Sequence, residues 1–125
     1  MPIALHWETP SLLLIEYTGE VTGDEALDAT LAMSNDKCYE SLETIIVNGS
    51  ALHKTVVSEQ DIEKVAAVSV AQSKSKPTMK VIMIMGQDEA SQSLAAFYQF
   101  LMHDTGWQIE LVHTESEARE RLNSP

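Results

Sequence analysis

Ser50 and His53 are a pair of side chains whose types and spacing could support a reaction. A serine hydroxyl becomes a nucleophile when a neighbouring imidazole takes its proton. The two residues lie three positions apart in the segment NGSALH, and residues at that separation can meet in a loop. The pair keeps a small hydrolase as one hypothesis, although Ser50 lies in no Gly-x-Ser-x-Gly motif.

Ser58 opens the segment SEQDIEK and admits two interpretations. A serine before a helix caps it by accepting a hydrogen bond from a free backbone amide. A phosphate on the same hydroxyl would be favoured by the helix dipole and the free amides. The carboxylates of Glu59, Asp61 and Glu63 oppose that phosphate. Capping accounts for Ser58 in full, and phosphorylation stays an alternative.

Motifs for cofactors and metals are missing from the sequence. It contains no Gly-x-x-x-x-Gly-Lys-Ser/Thr, no Gly-x-Gly-x-x-Gly and no His-Glu-x-x-His. The four histidines are scattered at positions 6, 53, 103 and 113, and Cys38 is the single cysteine. One cysteine makes neither an internal disulfide nor a thiolate metal site. We expect no cofactor, no metal and a protein that is not an enzyme.

The charge of the chain excludes two classes of partner. The formal net charge is -11 and the pI is about 4.6, and so acidic a surface repels nucleic-acid phosphates and anionic headgroups. The beginning MPIALHWETP has no basic region and no long apolar run, unlike a signal peptide. The apolar stretches LLLI and VIMIM are too short to span a bilayer. We expect a cytoplasmic protein with no membrane insertion.

Short apolar runs alternate with amphipathic segments along the chain, and they predict one α/β domain over residues 1–125. IALHW and LLLIEY, separated by ETPS, predict an antiparallel hairpin. TIIVN and MKVIMIM predict strands buried on both faces. Helices are predicted after Thr22, Ser58 and Thr114 and over the segment GQDEASQSLAAFYQFLMHDTG. The order β-β-α-β-α-β-α-β-α implies parallel crossovers and a mixed five-stranded sheet covered by helices.

Candidate binding residues follow the third and fourth predicted strands, because ligands of open α/β sheets bind beyond the carboxyl ends of strands. The longest predicted loop is NGSALHKTVVS. Val57 could pack on Ile62 as a hydrophobic staple, or form a contact patch for a partner together with Val56. The binding or regulatory candidates are Ser50, His53, Lys54, Thr55, Val56, Val57, Ser58, Gly86, Gln87 and Asp88.

The chain resembles the SpoIIAA-like family of STAS domains. The resemblance rests on the hairpin with a tryptophan in its first strand, on YTGEVTGDE and IIVNGSALHKTVVSEQDIEK, and on the order of elements. It implies the anti-sigma-factor-antagonist fold and the binding of partner proteins, or of a small or lipid-like ligand as in CRAL-TRIO domains. Antagonists of the family carry an Asp-Ser-Ser-Gly type motif with a phosphorylated serine. Here VVSEQD stands there, and Ser58 lacks the second serine and the glycine.

Two functions from different classes follow, besides the hydrolase. The first is a non-enzymatic binding or regulatory module that contacts a protein partner through the loops at the strand ends and the helix at Ser58. The alternative is a carrier of a small apolar or lipid-like ligand, lined by the Met-rich strand 79–85 and the aromatic helix 94–102. Met79, Met83 and Met85 could equally be plain core. A homodimer is a further expectation. An apolar pocket would favour the carrier, and a flat patch around Val56 would favour the partner.

Overall fold

The computed structural model describes residues 2–123, except for the side chains of residues 53–55. Its five strands are β1 (Ile3–Thr9), β2 (Leu12–Val21), β3 (Thr44–Thr55), β4 (Met79–Ile84) and β5 (Trp107–Val112). Its α-helices are α1 (Gly23–Ser34), α2 (Glu59–Ser75), α3 (Glu89–Leu101) and α4 (Glu115–Arg121), and a 3-10 helix covers Tyr39–Ser41.

The strands form one mixed sheet in the order β1-β2-β3-β4-β5. β1 pairs with β2 antiparallel, as the predicted hairpin requires, and all other pairs are parallel. The predicted fold class and element order are therefore confirmed.

The helices begin where capping residues predict them to begin. The Thr22 hydroxyl accepts a hydrogen bond from the Glu25 amide at 3.2 Å, and the Thr22 amide donates to Glu25 Oε1 at 2.9 Å. The Thr114 hydroxyl likewise accepts from the Glu117 amide at 3.1 Å. These contacts satisfy amides that a helix start leaves free, so the start of each helix is fixed locally.

The two faces of the sheet have different covers. On the face that we call the three-helix face, Ile45 and Val81 join a core with α1, α2 and α3. On the other, the α4 face, the adjacent residues Ile46 and Ile82 join a smaller core with Ala118 of α4. Successive side chains of a strand point to opposite faces. The β-branched runs of the central strands are thus buried on both sides.

The third strand is longer than predicted, which corrects the loop assigned to NGSALHKTVVS. The prediction ends this strand at Asn48, whereas β3 continues to Thr55. Its outer half lies beside the end of β2, and the parallel pairing resumes at Thr18↔Ala51. Irregularities in the register absorb the extra residues of β3. Ser50 and residues 53–55 therefore belong to a strand and not to a loop.

Candidate functional site

An apolar cavity of about 160 Å³ lies between the sheet and the three helices of the three-helix face. Residues of β2, β3, β4, α1, α2 and α3 contribute to its walls, together with Trp107 of β5. The walls are aliphatic over most of their extent, and representative side chains are Ile15, Ile45, Val47, Val65, Val81 and Leu94. No charged side chain lines the cavity in the described part of the chain. Such a space favours neutral, apolar contents.

Two of the three methionines considered from the sequence lie at this cavity. Met83 and Met85 are partly buried and form part of its wall. Met79 is 4% exposed and belongs to the core without lining the cavity. Methionine adapts its shape to irregular surroundings, so β4 offers a deformable wall on this side. From α3, Leu94 and Tyr98 also reach the cavity.

Two tyrosine hydroxyls supply polar atoms to this apolar region. The buried Tyr98 hydroxyl donates a hydrogen bond to Ser69 Oγ at 2.9 Å. Burial raises the pKa of Tyr98 to about 12. Burial also raises the pKa of Tyr17 to about 12, and the proximity of Tyr98 adds to that rise. Both phenols are consequently neutral near pH 7 and act as hydrogen-bonding groups rather than as bases.

The sequence hypotheses missed Tyr17 and Ser69 as site residues. Ser69 carried a signal, because it is a polar residue on the apolar stripe of α2 that also contains Ile62 and Val65. A buried polar group requires a partner, and Tyr98 is that partner. Tyr17 carried no such signal, since a tyrosine at the end of an apolar run is an ordinary strand residue.

Ser58 caps α2, as the sequence predicts. Its hydroxyl accepts a hydrogen bond from the Asp61 amide at 3.1 Å, and its own amide donates to Asp61 Oδ2 at 2.9 Å. The hydrogen bond from the Ser58 amide is the largest cause of the lowered pKa of Asp61, and the hydrogen bond with the Ser58 side chain lowers this pKa further. Ser58 is exposed, so its hydroxyl is open to solvent while it serves as the cap.

The candidates after β4 hold the start of α3. Asp88 is the cap of this helix and accepts a hydrogen bond from the Ser91 amide at 3.0 Å, which lowers the pKa of Asp88. The carbonyl of Gly86 accepts from Gln92 Nε2 at 3.1 Å, and Gly86 lines the cavity. Gln87 is exposed. Of these three candidates, Gly86 alone borders the cavity.

Val56 and Val57 differ in their surroundings. Val56 is 37% exposed, whereas Val57 is partly buried and lines the cavity together with Ile62. A shallow surface depression between the starts of α2 and α3 shares Val57 and Leu94 with the cavity. Val57 and Leu94 therefore lie between the cavity and the surface of the protein.

Ser50 is exposed, and both of its hydrogen-bonding groups are directed at Asn48. The Ser50 hydroxyl donates to Asn48 Oδ1 at 2.7 Å, and the Ser50 amide donates to the same oxygen at 3.0 Å. These contacts stabilise the irregular stretch of β3. The side chains of His53, Lys54 and Thr55 lie outside the described residues. The proposed meeting of Ser50 with His53 therefore stays a hypothesis.

Two searches of the described residues gave negative results. No group of three or more His, Cys, Asp or Glu side chains in residues 2–123 is arranged to hold a metal ion. None of the helices in this part of the chain is long and apolar enough to cross a membrane.

Comparisons with known proteins support the fold. No protein-family model matches the sequence, and no curated protein matches it. The solved structure of the anti-sigma factor antagonist SpoIIAA in its unphosphorylated form matches with a TM-score of 0.64 and 18% identity, over 98% of this chain and 99% of that chain.

Two further solved structures agree with that match. A protein of the DUF3478 family with a SpoIIAA-like fold, from Shewanella loihica PV-4, gives a TM-score of 0.59 at 14% identity, over 96% of this chain and 91% of that one. Phosphorylated SpoIIAA from Bacillus gives a TM-score of 0.54 at 16% identity, over 97% and 99% of the two chains. This chain has the SpoIIAA-like fold of STAS domains, and the fold implied by the sequence resemblance is confirmed.

Proposed function

We propose that this protein is a non-enzymatic binding module and that its ligand is a small apolar molecule held in the cavity. The cavity itself is the observation that carries this proposal. Its volume of about 160 Å³ resembles that of an engineered cavity of about 150 Å³ that stays dry and binds benzene. The sequence hypotheses named such a pocket as the feature that favours a carrier over a protein-contact surface.

The surroundings of the cavity support reversible binding. Met83 and Met85 can adjust to different shapes. The depression shared through Val57 and Leu94 offers a route of access between the starts of α2 and α3. A ligand reaching the cavity by this route passes between two capped helix ends and does not require the sheet to open.

Native mass spectrometry of freshly purified protein tests the carrier. We expect an additional mass under native conditions that disappears under denaturing conditions. Ala95 lines the cavity from α3, so Ala95→Leu fills part of the space and removes the additional mass. The exposed substitution Ala96→Leu on the same helix is the matched control. The native masses also report whether the protein is a homodimer.

A direct titration covers the case in which the ligand is lost during purification. Trp107 lines the cavity, so its fluorescence reports on the contents once Trp7 is replaced in a Trp7→Phe background. Benzene should change this emission saturably, and Ala95→Leu should abolish the change. Protein that carries no mass and shows no saturable response to benzene would contradict the carrier.

The second candidate is a protein partner that docks on the surface before α2. Val56 is the exposed apolar side chain that favours it, beside the exposed cap Ser58. The fold adds support, because SpoIIAA is an anti-sigma factor antagonist and has been seen in a phosphorylated form. In this candidate a phosphate on Ser58 would displace the Asp61 carboxylate through repulsion and alter the docking surface.

Variants of this surface test the second candidate. A partner captured by the wild-type protein should be lost with Val56→Asp and retained with Leu31→Asp, since Leu31 is an equally exposed apolar residue on α1 (43% exposed). Ser58→Asp should change the affinity for that partner, with Ser58→Ala as its control. Equal capture by all four variants would exclude this surface as the docking site.

A further inference from the structure

The Tyr17 hydroxyl is a polar group of the cavity lining that forms no hydrogen bond with the described residues. Tyr17 lines the cavity from β2. No hydrogen bond of its hydroxyl is formed with any residue of the described chain, whereas the Tyr98 hydroxyl donates to Ser69. The fully enclosed polar side-chain atoms without a partner are Tyr39 Oη and Gln72 Oε1. Tyr17 Oη is not among them, so it retains access to open space.

Because Tyr17 lines the cavity, we infer that the open space its hydroxyl reaches is the cavity. Tyr17 is packed against the core of the three-helix face, and the neighbouring residue Tyr98 also lines the cavity. A hydroxyl group in apolar surroundings destabilises a protein when no acceptor lies within hydrogen-bonding distance of it. Burial holds the Tyr17 phenol in its protonated form, so it presents an O–H donor to whatever fills the space.

The volume of the cavity and the absence of charge on its described walls restrict the ligands that it can hold. The volume of about 160 Å³ matches one substituted benzene ring rather than a long acyl chain. The absence of charged side chains from the described walls excludes an ionised ligand, because an unpaired charge is costly in apolar surroundings. A hydroxyl donor without a protein acceptor among the described residues, set in a mostly apolar wall, favours a ligand with one acceptor.

We propose that the cavity binds a small neutral molecule with a compact apolar body and a single carbonyl or ether oxygen, which accepts a hydrogen bond from the Tyr17 hydroxyl. This inference rests on the carrier function proposed above and adds the chemical class of the ligand. Tyr17 is the residue that determines specificity, and the aliphatic walls supply affinity.

The test compares two probes of nearly identical shape. Acetophenone carries a carbonyl oxygen, and α-methylstyrene has a methylene group in its place. Both are titrated by Trp107 fluorescence in the Trp7→Phe background. In this background we expect acetophenone to bind more tightly than α-methylstyrene. Tyr17→Phe keeps the ring and should weaken acetophenone about 3- to 10-fold, as expected for one hydrogen bond, while α-methylstyrene keeps its affinity.

Two further variants distinguish a wrong ligand class from a wrong carrier function. Tyr39→Phe removes another phenol hydroxyl, one that lies outside the cavity wall, and should leave both affinities unchanged. Ala95→Leu should abolish binding of both probes. Equal affinities for the two probes, or a preference that survives Tyr17→Phe, would overturn the assigned ligand class and leave the carrier standing. Failure of both probes to bind would overturn the carrier and the ligand class together.

Discussion

The two faces of the sheet belong to the same strands, but the helices pack on them with different completeness. On the α4 face, one helix of seven residues covers Ile46 and Ile82, and these two side chains and Ala118 are fully buried. On the three-helix face, three longer helices cover the neighbouring residues and still leave a cavity of about 160 Å³. The cavity therefore does not reflect a shortage of apolar residues in the strands. It arises where three helices and the sheet meet without filling the space between them.

Polar contacts also hold α4 on its face of the sheet. Both Nη atoms of Arg119 donate to the Glu8 carboxylate of β1, at 2.6 and 2.8 Å. Lys80 of β4 lies 3.5 Å from Glu110 and donates to the carbonyl of Arg121 at the end of α4. The contacts of Arg119 and of the Arg121 carbonyl tie a short helix to β1 and β4. The comparison predicts that a change of side-chain volume destabilises the protein strongly on the α4 face and less on the three-helix face.

The largest contrast should come from adjacent isoleucines of β3. Ile46→Ala opens a void in the closed α4 face and should lower the free energy of unfolding by about 3–5 kcal/mol. Ile45→Ala removes the same atoms beside an existing space, so it loses fewer contacts and should cost only about 2–3 kcal/mol. Urea denaturation of both variants measures the two values. Equal costs would remove the distinction between the faces.

Filling substitutions give the next contrast. Ala118→Leu adds volume where Ala118 has no free surface, and overpacking of this kind costs about 1–3 kcal/mol. Ala95→Leu adds the same volume toward the cavity and should change stability by less than about 1 kcal/mol. Thermal denaturation and a near-UV spectrum of each variant measure the effect. A larger loss for Ala95→Leu than for Ala118→Leu would show that the cavity is not available for filling.

Loss of the cap of α2 should have a smaller effect. Ser58→Ala removes the acceptor for the Asp61 amide and should cost about 1 kcal/mol of stability. Ser41→Ala is a control, because Ser41 is exposed and lies outside any helix cap, and it should stay within about 0.5 kcal/mol. Urea denaturation resolves the two. A cost for Ser58→Ala no larger than that of the control would argue against the capping role.

Local patterns in the sequence were sufficient for most of the fold. TIIVN and MKVIMIM alternate between two buried faces, and the caps Thr22, Ser58 and Thr114 each act on an amide three residues later. Such signals depend on neighbours in the chain and can be read without a structure. The outer half of β3 escaped prediction because its pairing partner, the end of β2, is remote in sequence.

The cavity could be predicted only in part. Met83, Met85 and the helix residues 94–102 were named as a pocket wall, and Met83, Met85, Leu94 and Tyr98 do line it. The space between the three helices and the sheet arises from packing over the whole domain and leaves no local pattern. For the same reason the sequence does not distinguish Tyr17, whose hydroxyl has no partner among the described residues, from Tyr98, whose hydroxyl has one.

The smallest expected effect concerns the ion pair that fastens α4. Glu8→Gln should lower stability by no more than about 1 kcal/mol at pH 7, because the pair is partly exposed. The hydrogen bond from Arg119 lowers the pKa of Glu8, so its contribution is complete above the unfolded pKa of about 4.3 and is lost as the pH falls through the lowered value. Urea denaturation from pH 7 to pH 2.5 should therefore show wild type and Glu8→Gln converging in acid. Glu20→Gln, at an exposed residue, is the control, and a constant difference at all pH values would show that Glu8 stabilises α4 without its charge.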